Sequence, residues 1–576
     1  MVVVGANDGM VHAFSLTGGF CLFTDDILPS PGDDDDDDII IDPPPIDEEV
    51  TGDDDDDHFP TGGREAWSFI PRNVVPKLKS TRLVSEDGTS VAYNRLPMVD
   101  STAAVSDAYF DVDGDGLKEW RTVVVFGQGP GTGTGDLNYY FALDVTDTCN
   151  PQPLWEWSDA IDDYDGEPGV ANDPEAGQSW SVPFIAQAVD DDGEDKWYAF
   201  FASGYDENEG DSDFKGNQVY ALDIATGHMR YKVTLADLDD AANIPNALPG
   251  SPNGVDLDGD GRIDRLYFGD LEGRLVRLDV HNQASADVDQ DAVSGATTVN
   301  GDSGGWNPCV KVNLTSNDDP EALPMPIFVR PAISLESALD QSGNPIQLAR
   351  VYFGTGGDDR APADQTYAFY GLKDQDPIGG NCSLIDINSA NSYVFETSDT
   401  QPILLSDDGT PTGERVWADP LIMTRSCTRG GGSSEAVVFS TLVGNIENTN
   451  PCMNEEIGSS PYPGRLFARF IKNECRSGTS ITSGETGFLD NQGARTVQYL
   501  QTASKARGLG GLGQQHGYKS GLNGKQTLGQ SFYFSQYAGS GTGGASEGGT
   551  HNSAAWFEWG FELGFAPKLR SFEEVY

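Results

Sequence analysis

Short apolar runs recur along the chain, and each is followed by a glycine-containing loop and a second apolar run that often ends in Leu-Asp. Short runs of this kind, bounded by turn residues, predict β-strands joined as antiparallel hairpins. The first members of the pairs are Val2–Gly5, Thr122–Gly127, Trp197–Gly204, Arg265–Gly269, Val351–Gly354 and Ala436–Ser440. The second members are Val11–Phe14, Tyr140–Asp144, Val219–Asp223, Leu275–Asp279, Tyr367–Tyr370 and Arg465–Ala468.

A further short strand, starting near a Ser or Pro and ending in an acidic turn, precedes most of these pairs. Its copies are Ser101–Val105, Ser181–Phe184, Gly250–Asn253, Val329–Ala332 and Ala418–Leu421. Each unit is therefore a meander of three or four strands. Repetition of such units predicts an all-β chain folded as a β-propeller, in which neighbouring sheets cover one another. An array of sandwiches is the alternative.

Seven units, and hence seven blades, are predicted if the tail supplies one through Ser531–Phe534 and Trp556–Trp559. We expect residues 1–475 to form the propeller, and the Gly- and Ser-rich tail 476–576 to close the ring. The N-terminal strands could complete a blade begun at the C-terminus. Residues 25–63 carry two aspartate runs and a proline run, which predict a solvated acidic insertion. Calcium storage by these aspartates is the functional alternative.

The composition of the chain limits the classes of function and partner that it can have. The 576 residues carry 69 Gly and 33 Pro, which argues against long helices. The formal net charge is −57, so phosphate backbones are repelled and nucleic acid is excluded as a partner. An anionic membrane surface is disfavoured unless a cation bridges. The sequence contains neither an apolar run of about 18 residues nor a secretory signal. The chain is then either cytosolic or a trimmed or mature piece of an exported protein. We expect the second, located outside the cell or on its surface.

Seven cysteines are spread widely and none occurs in a C-x-x-C, which argues against a zinc ribbon. Their spacing predicts one to three disulfides in an oxidising compartment. Cys427 and Cys452, which flank one strand region, are the first pairing to expect.

Two acidic turns read D-x-D-x-D-G-x-x-[D/E], a pattern typical of calcium loops. Calcium prefers six to eight oxygen ligands, and alternate carboxylates in a tight turn converge on one point. The glycine permits the turn, the seventh position offers its carbonyl, and the ninth a closing carboxylate. Without a cation such carboxylates repel one another. A hydrated acidic hairpin is the alternative. The predicted ligands are Asp256, Asp258, Asp260, Arg262 and Asp264 in one loop, and Asp111, Asp113, Asp115, Leu117 and Glu119 in the other.

The enzyme-like matches are weak. Gly544–Gly548 fits G-x-S-x-G and Gly508–Gly513 fits G-x-G-x-x-G, but both lie in glycine tracts without the strand–turn–helix setting that such motifs need. No H-E-x-x-H occurs, so no catalytic residues are predicted and a non-enzymatic protein is expected.

Two further acidic segments, the turn Asp190–Asp195 and the run Asp287–Asp291, are degenerate copies of the calcium pattern.

Seven phrases are spread over roughly residues 1–475: Gly5–Phe14, Trp67–Pro71, Arg121–Val125, Tyr140–Val145, Val255–Gly261, Val351–Gly356 and Gly413–Val416. Together, and in this order, they resemble the PilY family of type IV pilus biogenesis factors and tip adhesins. The resemblance implies the family's C-terminal propeller, commonly described as seven-bladed. It also implies a calcium loop at Asp256–Asp264, whose occupancy is tied to the balance between pilus extension and retraction.

The expected partners are pilins or minor pilins at a pilus tip, with a host or surface receptor as a further candidate. Family members usually carry a long N-terminal region, often with an adhesive von Willebrand A-like domain, ahead of this propeller. Two other functions stay open. One is an integrin-α-like adhesion propeller, which also places D-x-D-x-D-G loops within blades. The other is a quinoprotein-like dehydrogenase, although this sequence lacks the Cys-Cys pair such enzymes often use.

Overall fold

The computed structural model describes the chain in segments, whose strands form seven sheets of three or more strands and one separate hairpin. The described residues are 1–15, 65–78, 82–84, 91–93, 98–112, 114–129, 138–159, 176–190, 193–205, 215–234, 247–280, 289–290, 306–314, 324–340, 342–357, 367–378, 382–387, 392–396, 414–416, 419–426, 433–443, 464–473, 498–501, 515–520, 526–535, 554–559 and 568–571.

The first sheets follow one another along the chain. Sheet 1 contains β1 (Val2–Gly5), β2 (Val11–Phe14) and β3 (Glu65–Phe69). The short helix α1 (Val75–Leu78) and the hairpin of β4 (Arg82–Val84) and β5 (Val91–Tyr93) follow. Sheet 2 contains β6 (Ala104–Phe110), β7 (Glu119–Gly127), β8 (Tyr140–Asp144) and β9 (Gln152–Trp157). Sheet 3 contains β10 (Phe184–Val189), β11 (Asp195–Ala202), β12 (Gln218–Asp223) and β13 (Met229–Thr234).

Sheet 4 starts with β14 (Asn253–Val255), β15 (Arg265–Gly269) and β16 (Arg274–Asp279). The chain then returns to sheet 3, where β17 (Asp289–Gln290) pairs in parallel with β13, before β18 (Asn307–Asn313) completes sheet 4. Sheet 5 contains β19 (Ala332–Leu339), β20 (Pro345–Gly354), β21 (Ala368–Asp374) and β22 (Ser392–Glu396).

Sheet 6 contains β23 (Glu414–Val416), β24 (Leu421–Ser426), β25 (Ser433–Val443), β26 (Gly464–Asn473) and β27 (Gln498–Gln501). Sheet 7 contains β28 (Gln515–Ser520), β29 (Gln526–Ser535), β30 (Ala554–Trp559) and β31 (Lys568–Ser571). Among the described strands, β1–β3 pair with one another and sheet 7 is built from the tail alone. Because β27 pairs with β26, sheet 6 crosses the expected boundary at residue 475.

The hydrophobic core lies between neighbouring sheets. Four groups of buried side chains each contain residues of adjacent sheets, so that sheets 2 to 5 are covered on both faces. Representative members are Val11 with Phe141, Trp157 with Phe201, Phe200 with Phe268, and Tyr267 with Phe369 and Phe439. Mutual covering of successive meanders is the arrangement of a β-propeller, so the predicted fold is confirmed. The number of blades stays a prediction.

The glycine that ends the first strand of most repeats lies against a neighbouring segment. A Cβ placed on any of these glycines would lie within 2.7 Å of another residue's atoms, closer than real Cβ atoms approach. The positions and their neighbours are Gly5 with Val99, Gly127 with Ser179, Gly204 with Gln178, Gly269 with Ile327 and Gly354 with Val416. The repeat therefore needs glycine here because only a bare backbone fits where the sheets approach.

A buried ion cluster joins sheet 4 to the end of β21 in sheet 5. The Asp374 carboxylate lies 2.8 Å from Arg277 Nη1, 3.2 Å from Lys311 Nζ and 3.5 Å from Arg265 Nη1, and accepts a hydrogen bond from the Tyr267 hydroxyl. Asp279 and Asp376 supply two further carboxylates. Burial alone would raise the pKa of Asp374, but the three cations hold it well below its ordinary value.

A disulfide reinforces the same junction. Cys309 in β18 is bonded to Cys382, which follows the end of sheet 5's third strand, with 6.3 Å between the Cα atoms. Cys149 is disulfide-bonded as well. Cys427 and Cys452, the pair expected from sequence, lie outside the described residues. Within the part of the chain that the structure describes, no helix combines the length and the hydropathy needed to cross a bilayer.

The β1–β2 turn is fastened by a histidine between two carboxylates. His12 Nδ1 lies 2.7 Å from Glu65 Oε1 in β3, and His12 Nε2 lies 2.9 Å from Asp8 Oδ2 in the turn. The hydrogen bond to Glu65, with the help of Asp8, raises the pKa of His12 above its ordinary value. Both His12 and Asp8 belong to the phrase Gly5–Phe14.

Sheet 1 is therefore expected to lose stability as the pH rises through the raised pKa of His12. A raised histidine pKa means that the proton stabilises the fold, fully below about pH 6.5 and no longer above the folded-state pKa. Urea unfolding of wild type and His12→Gln should differ by up to about 1 kcal/mol near pH 5 and converge near pH 8. A difference that is constant across this range would contradict the assignment.

Candidate calcium loops

Three carboxylates converge in the hairpin between β14 and β15. One oxygen from each of Asp256, Asp258 and Asp260 lies within 4.8 Å of the other two. Oxygens on one calcium ion lie about 2.3–2.6 Å from it, which puts any two of them at most about 5 Å apart. The separation therefore fits one calcium ion, and the donor set consists of the hard oxygens that calcium prefers.

The turn is held by bonds from its own backbone to these carboxylates. Asp256 accepts from Gly259 N–H at 2.6 Å and from Gly261 N–H at 2.9 Å, which wraps the loop around its carboxylate. Gly259 and Gly261 have φ of 80° and 93°, in the left-handed region that glycine adopts without strain. Asp258 and Asp260 each accept an N–H two residues later, at 3.1 and 2.8 Å.

Asp264 lies at the base of this loop and outside the group of three. Its Oδ2 accepts from Leu257 N–H at 2.6 Å, and its backbone joins Val255 and Val280. Burial, together with repulsion from Asp258 and Asp256, raises the pKa of Asp264 from 3.8 to about 6. The structure thus brings Asp256, Asp258 and Asp260 together and places Asp264 as a brace beneath them.

Arg262 turns its side chain away from the loop centre toward sheet 3. Its Nε lies 2.8 Å from Asp195 Oδ1, and its Nη1 lies 3.4 Å from Asp260 Oδ2. The next residue, Ile263, donates its N–H to the Gln187 carbonyl of β10 at 2.9 Å. The loop is therefore tied to the neighbouring sheet by both a side chain and the backbone.

The second loop joins β6 to β7 and shares part of this geometry. Asp111 accepts from Gly114 N–H at 2.8 Å and from Gly116 N–H at 2.7 Å, and Asp115 accepts from Leu117 N–H at 2.7 Å. Glu119 is exposed and pairs with Arg121 Nη2 at 2.5 Å. Asp113 lies outside the described residues. Of the ligands described here, Asp111, Asp115 and Glu119 do not form a group of three like that of the first loop.

The degenerate turn between β10 and β11 has a different arrangement. Asp190 is buried, pairs with the Lys196 ammonium and accepts from Glu194 N–H at 2.9 Å. Asp195 pairs with Arg262, so both described ends of this turn have cationic partners. Only Asp289 and Gln290 of the run Asp287–Asp291 are described, as a short strand.

The fold and the first loop together define an all-β propeller that carries an oxygen-lined acidic hairpin between two strands of one sheet. A family model described as the PilY1 beta-propeller domain matches residues 62–388, more than half of the chain. This chain therefore belongs to the PilY1 β-propeller family, and the resemblance seen in the sequence is confirmed.

Individual relatives match shorter parts. PilY1 of Pseudomonas aeruginosa, a type IV pilus biogenesis factor, is 31% identical over 223 residues, which are 38% of this chain and 16% of the relative. A PilY1 homologue of Xylella fastidiosa is 26% identical over 287 residues, which are 48% of this chain and 14% of the relative. The crystal structure of the P. aeruginosa PilY1 C-terminal domain matches with a TM-score of 0.46 and 21% identity, over 90% of this chain and 88% of that chain. The matches span less than a fifth of these curated relatives.

Proposed function

We propose that this chain is the calcium-binding, non-enzymatic propeller of a PilY-type factor that acts in type IV pilus biogenesis. Family membership supports the pilus role. The observation that carries the calcium site is the convergence of Asp256, Asp258 and Asp260 within 4.8 Å. Pilins or minor pilins are the proposed partners, and the cell surface is the proposed location.

Calcium would be held by the three converging carboxylates, with the Arg262 carbonyl and Asp264 as further candidates. A bound divalent cation offsets the repulsion among these carboxylates and holds the β14–β15 hairpin in one geometry. The loop is tied to sheet 3 through Arg262 and Ile263, and Arg265 of the ion cluster directly follows Asp264. Occupancy would therefore stiffen the junctions on both sides of sheet 4, and so bias partner docking or the balance between pilus extension and retraction.

The double variant Asp258→Ala with Asp260→Ala should lose calcium-dependent stabilisation. At a calcium concentration one hundred times the dissociation constant, a single site stabilises the folded state by about 2.7 kcal/mol. Wild type should therefore show higher thermal stability and slower proteolysis of residues 250–270 in millimolar calcium, and the double variant should show neither response. Isothermal calorimetry should give binding near 10⁻⁴–10⁻³ M for wild type, the range of extracellular calcium modules.

Asp340→Ala is the matched control, because Asp340 caps the β19–β20 hairpin through Ser342 and Asn344 N–H groups without clustered carboxylates. This variant should keep the calcium response. If the double variant and wild type digest identically with and without calcium, the loop is a hydrated hairpin.

In the bacterium that carries the gene, deletion should reduce surface pili, and the double variant should shift pilus length if calcium sets extension. Turnover with added quinone and an electron acceptor would refute the non-enzymatic assignment.

A further inference from the structure

The hairpin of β6 and β7 exposes five apolar side chains on one part of its surface. Their exposed fractions are 61% for Val105, 41% for Tyr109, 38% for Val112, 68% for Leu117 and 61% for Trp120. We call this group the aromatic hairpin surface. Single exposed apolar residues are common, but a cluster that includes an exposed tryptophan and an exposed tyrosine marks an interaction site.

The members of this surface are neighbours in space. Tyr109 and Trp120 are cross-strand partners, and their ring centroids lie 5.3 Å apart. Val105 shares the face of β6 that Tyr109 occupies, because residues four apart in a strand point the same way. Val112 and Leu117 lie in the loop that joins the two strands. Trp197 of sheet 3 supports the Trp120 ring edge-on at 6.0 Å.

The loop motif itself does not cause this exposure. In the first loop, which has the same pattern, the apolar residues Leu257 and Ile263 are each only 5% exposed and pack at the base of the hairpin. At the positions of Val112 and Leu117, that loop has the buried Leu257 and the charged Arg262. The second loop thus exposes an apolar side chain at both positions, and this exposure is a feature of this hairpin.

The negative charge around the aromatic hairpin surface limits the kind of partner that can bind to it. Asp107, Asp115 and Glu119 are exposed around it, beside the exposed Lys118 and beside Arg121, which pairs with Glu119. The whole chain carries a net charge of −57. A second copy of the chain would bring two strongly anionic molecules together, and an anionic bilayer would be repelled for the same reason. A positively charged partner is attracted instead, and such charge complementarity accelerates association and selects the partner.

We propose that the aromatic hairpin surface binds a basic polypeptide segment, in which lysine or arginine side chains alternate with aliphatic or aromatic ones. The apolar side chains cover Trp120, Tyr109 and Leu117, and the basic ones pair with the surrounding carboxylates. This arrangement follows the usual anatomy of a protein interface, with an aromatic centre and a charged rim. Because Asp115, Glu119 and the Leu117 carbonyl are also candidate calcium ligands, peptide binding is measured without calcium; Asp107 is the exposed carboxylate outside that set.

The test uses the full chain and three fluorescent synthetic peptides: one of lysine with leucine and tryptophan, one of lysine with serine, and one of glutamate with leucine and tryptophan. The first should bind most tightly. Trp120→Ala with Leu117→Ser should weaken its binding at least about tenfold, toward the affinity of the lysine–serine peptide. Leu339→Ser, which changes an equally exposed leucine on β19, should leave binding unchanged.

A photo-crosslinking group on the first peptide locates the bound site. Cross-links mapped by mass spectrometry should fall within residues 105–120. The proposal is overturned if the cross-links lie mainly elsewhere, or if the double variant binds the first peptide as wild type does. It is also overturned if Trp120-dependent binding is stronger to vesicles of anionic phospholipid than to the peptide, since the surface would then be a membrane contact.

Discussion

Replacing Asp374 by alanine is expected to lower the free energy of unfolding by about 3–5 kcal/mol. The substitution leaves three cations, Arg265, Arg277 and Lys311, in a site where each is at most 2% exposed, with only Asp279 and Asp376 to balance them. Breaking a buried ion cluster is costly because a charge that has lost its partner cannot recover its hydration. Urea unfolding, read as a shift in midpoint at constant slope, measures the loss.

Asp195→Ala is the matched control, because it also removes an aspartate bound to an arginine. The Asp195–Arg262 pair is 38% and 43% exposed, and exposed pairs contribute at most about 1 kcal/mol. The measurement is made without calcium so that the nearby loop does not contribute. Equal losses for the two variants would show that the inter-sheet cluster does not hold sheets 4 and 5 together.

The fold could be predicted because its signals are local. An apolar run such as Arg265–Gly269 becomes a fully buried strand, and the glycine at its end is fixed by the approach of Ile327. Strand order within most sheets follows chain order, because strands that are consecutive in the sequence pair as antiparallel neighbours. Two pairings depart from this order: β17 joins sheet 3 in parallel, and β23 and β24 both pair with β25. Neither pairing is accompanied by a repeated sequence pattern that would predict it.

The part of the candidate site that lies within the turn itself could also be predicted from the sequence. Asp256, Asp258 and Asp260 converge because the turn itself positions them, as alternate residues around two glycines. The Arg262–Asp195 pair depends on sheet 3, and the bracing role of Asp264 depends on its burial at the base of the loop; the motif encodes neither. The ion cluster was missed altogether, because Arg277 and Asp374 are 97 residues apart and each resembles an ordinary polar strand position. Charged residues inside otherwise apolar strands, namely Arg265, Arg277 and Lys311, were the available signal.

The burial of the tryptophans also depends on contacts that the sequence does not encode. Trp155 and Trp157 pack between sheets 2 and 3 and are only 8% and 3% exposed. Trp120, in contrast, follows the acidic loop and has the spacing of a strand residue, yet it is 61% exposed. Burial at this end of β7 depends on whether a neighbouring element covers it, and that is a tertiary property.

Replacing Trp157 by alanine is expected to destabilise the propeller by about 3–5 kcal/mol, the range for deleting a buried aromatic side chain. Its indole lies against Phe201 at 5.4 Å and Tyr220 at 5.3 Å, measured between ring centroids, and both rings belong to sheet 3. The substitution removes the apolar area buried between sheets 2 and 3 and leaves a cavity that the flanking strands cannot close. Thermal and urea unfolding both report the loss.

Trp120→Ala is the natural comparison, because the same atoms are removed from a largely exposed side chain on the neighbouring strand pair. Little apolar area leaves the interior, so the loss should stay below about 1 kcal/mol. The contrast separates two roles of one residue type in one sheet: Trp157 stabilises the junction with sheet 3, and Trp120 is left for contact with a partner. A Trp120→Ala variant as unstable as Trp157→Ala would mean that sheet 2 buries this tryptophan too, and the aromatic hairpin surface would then be part of the core.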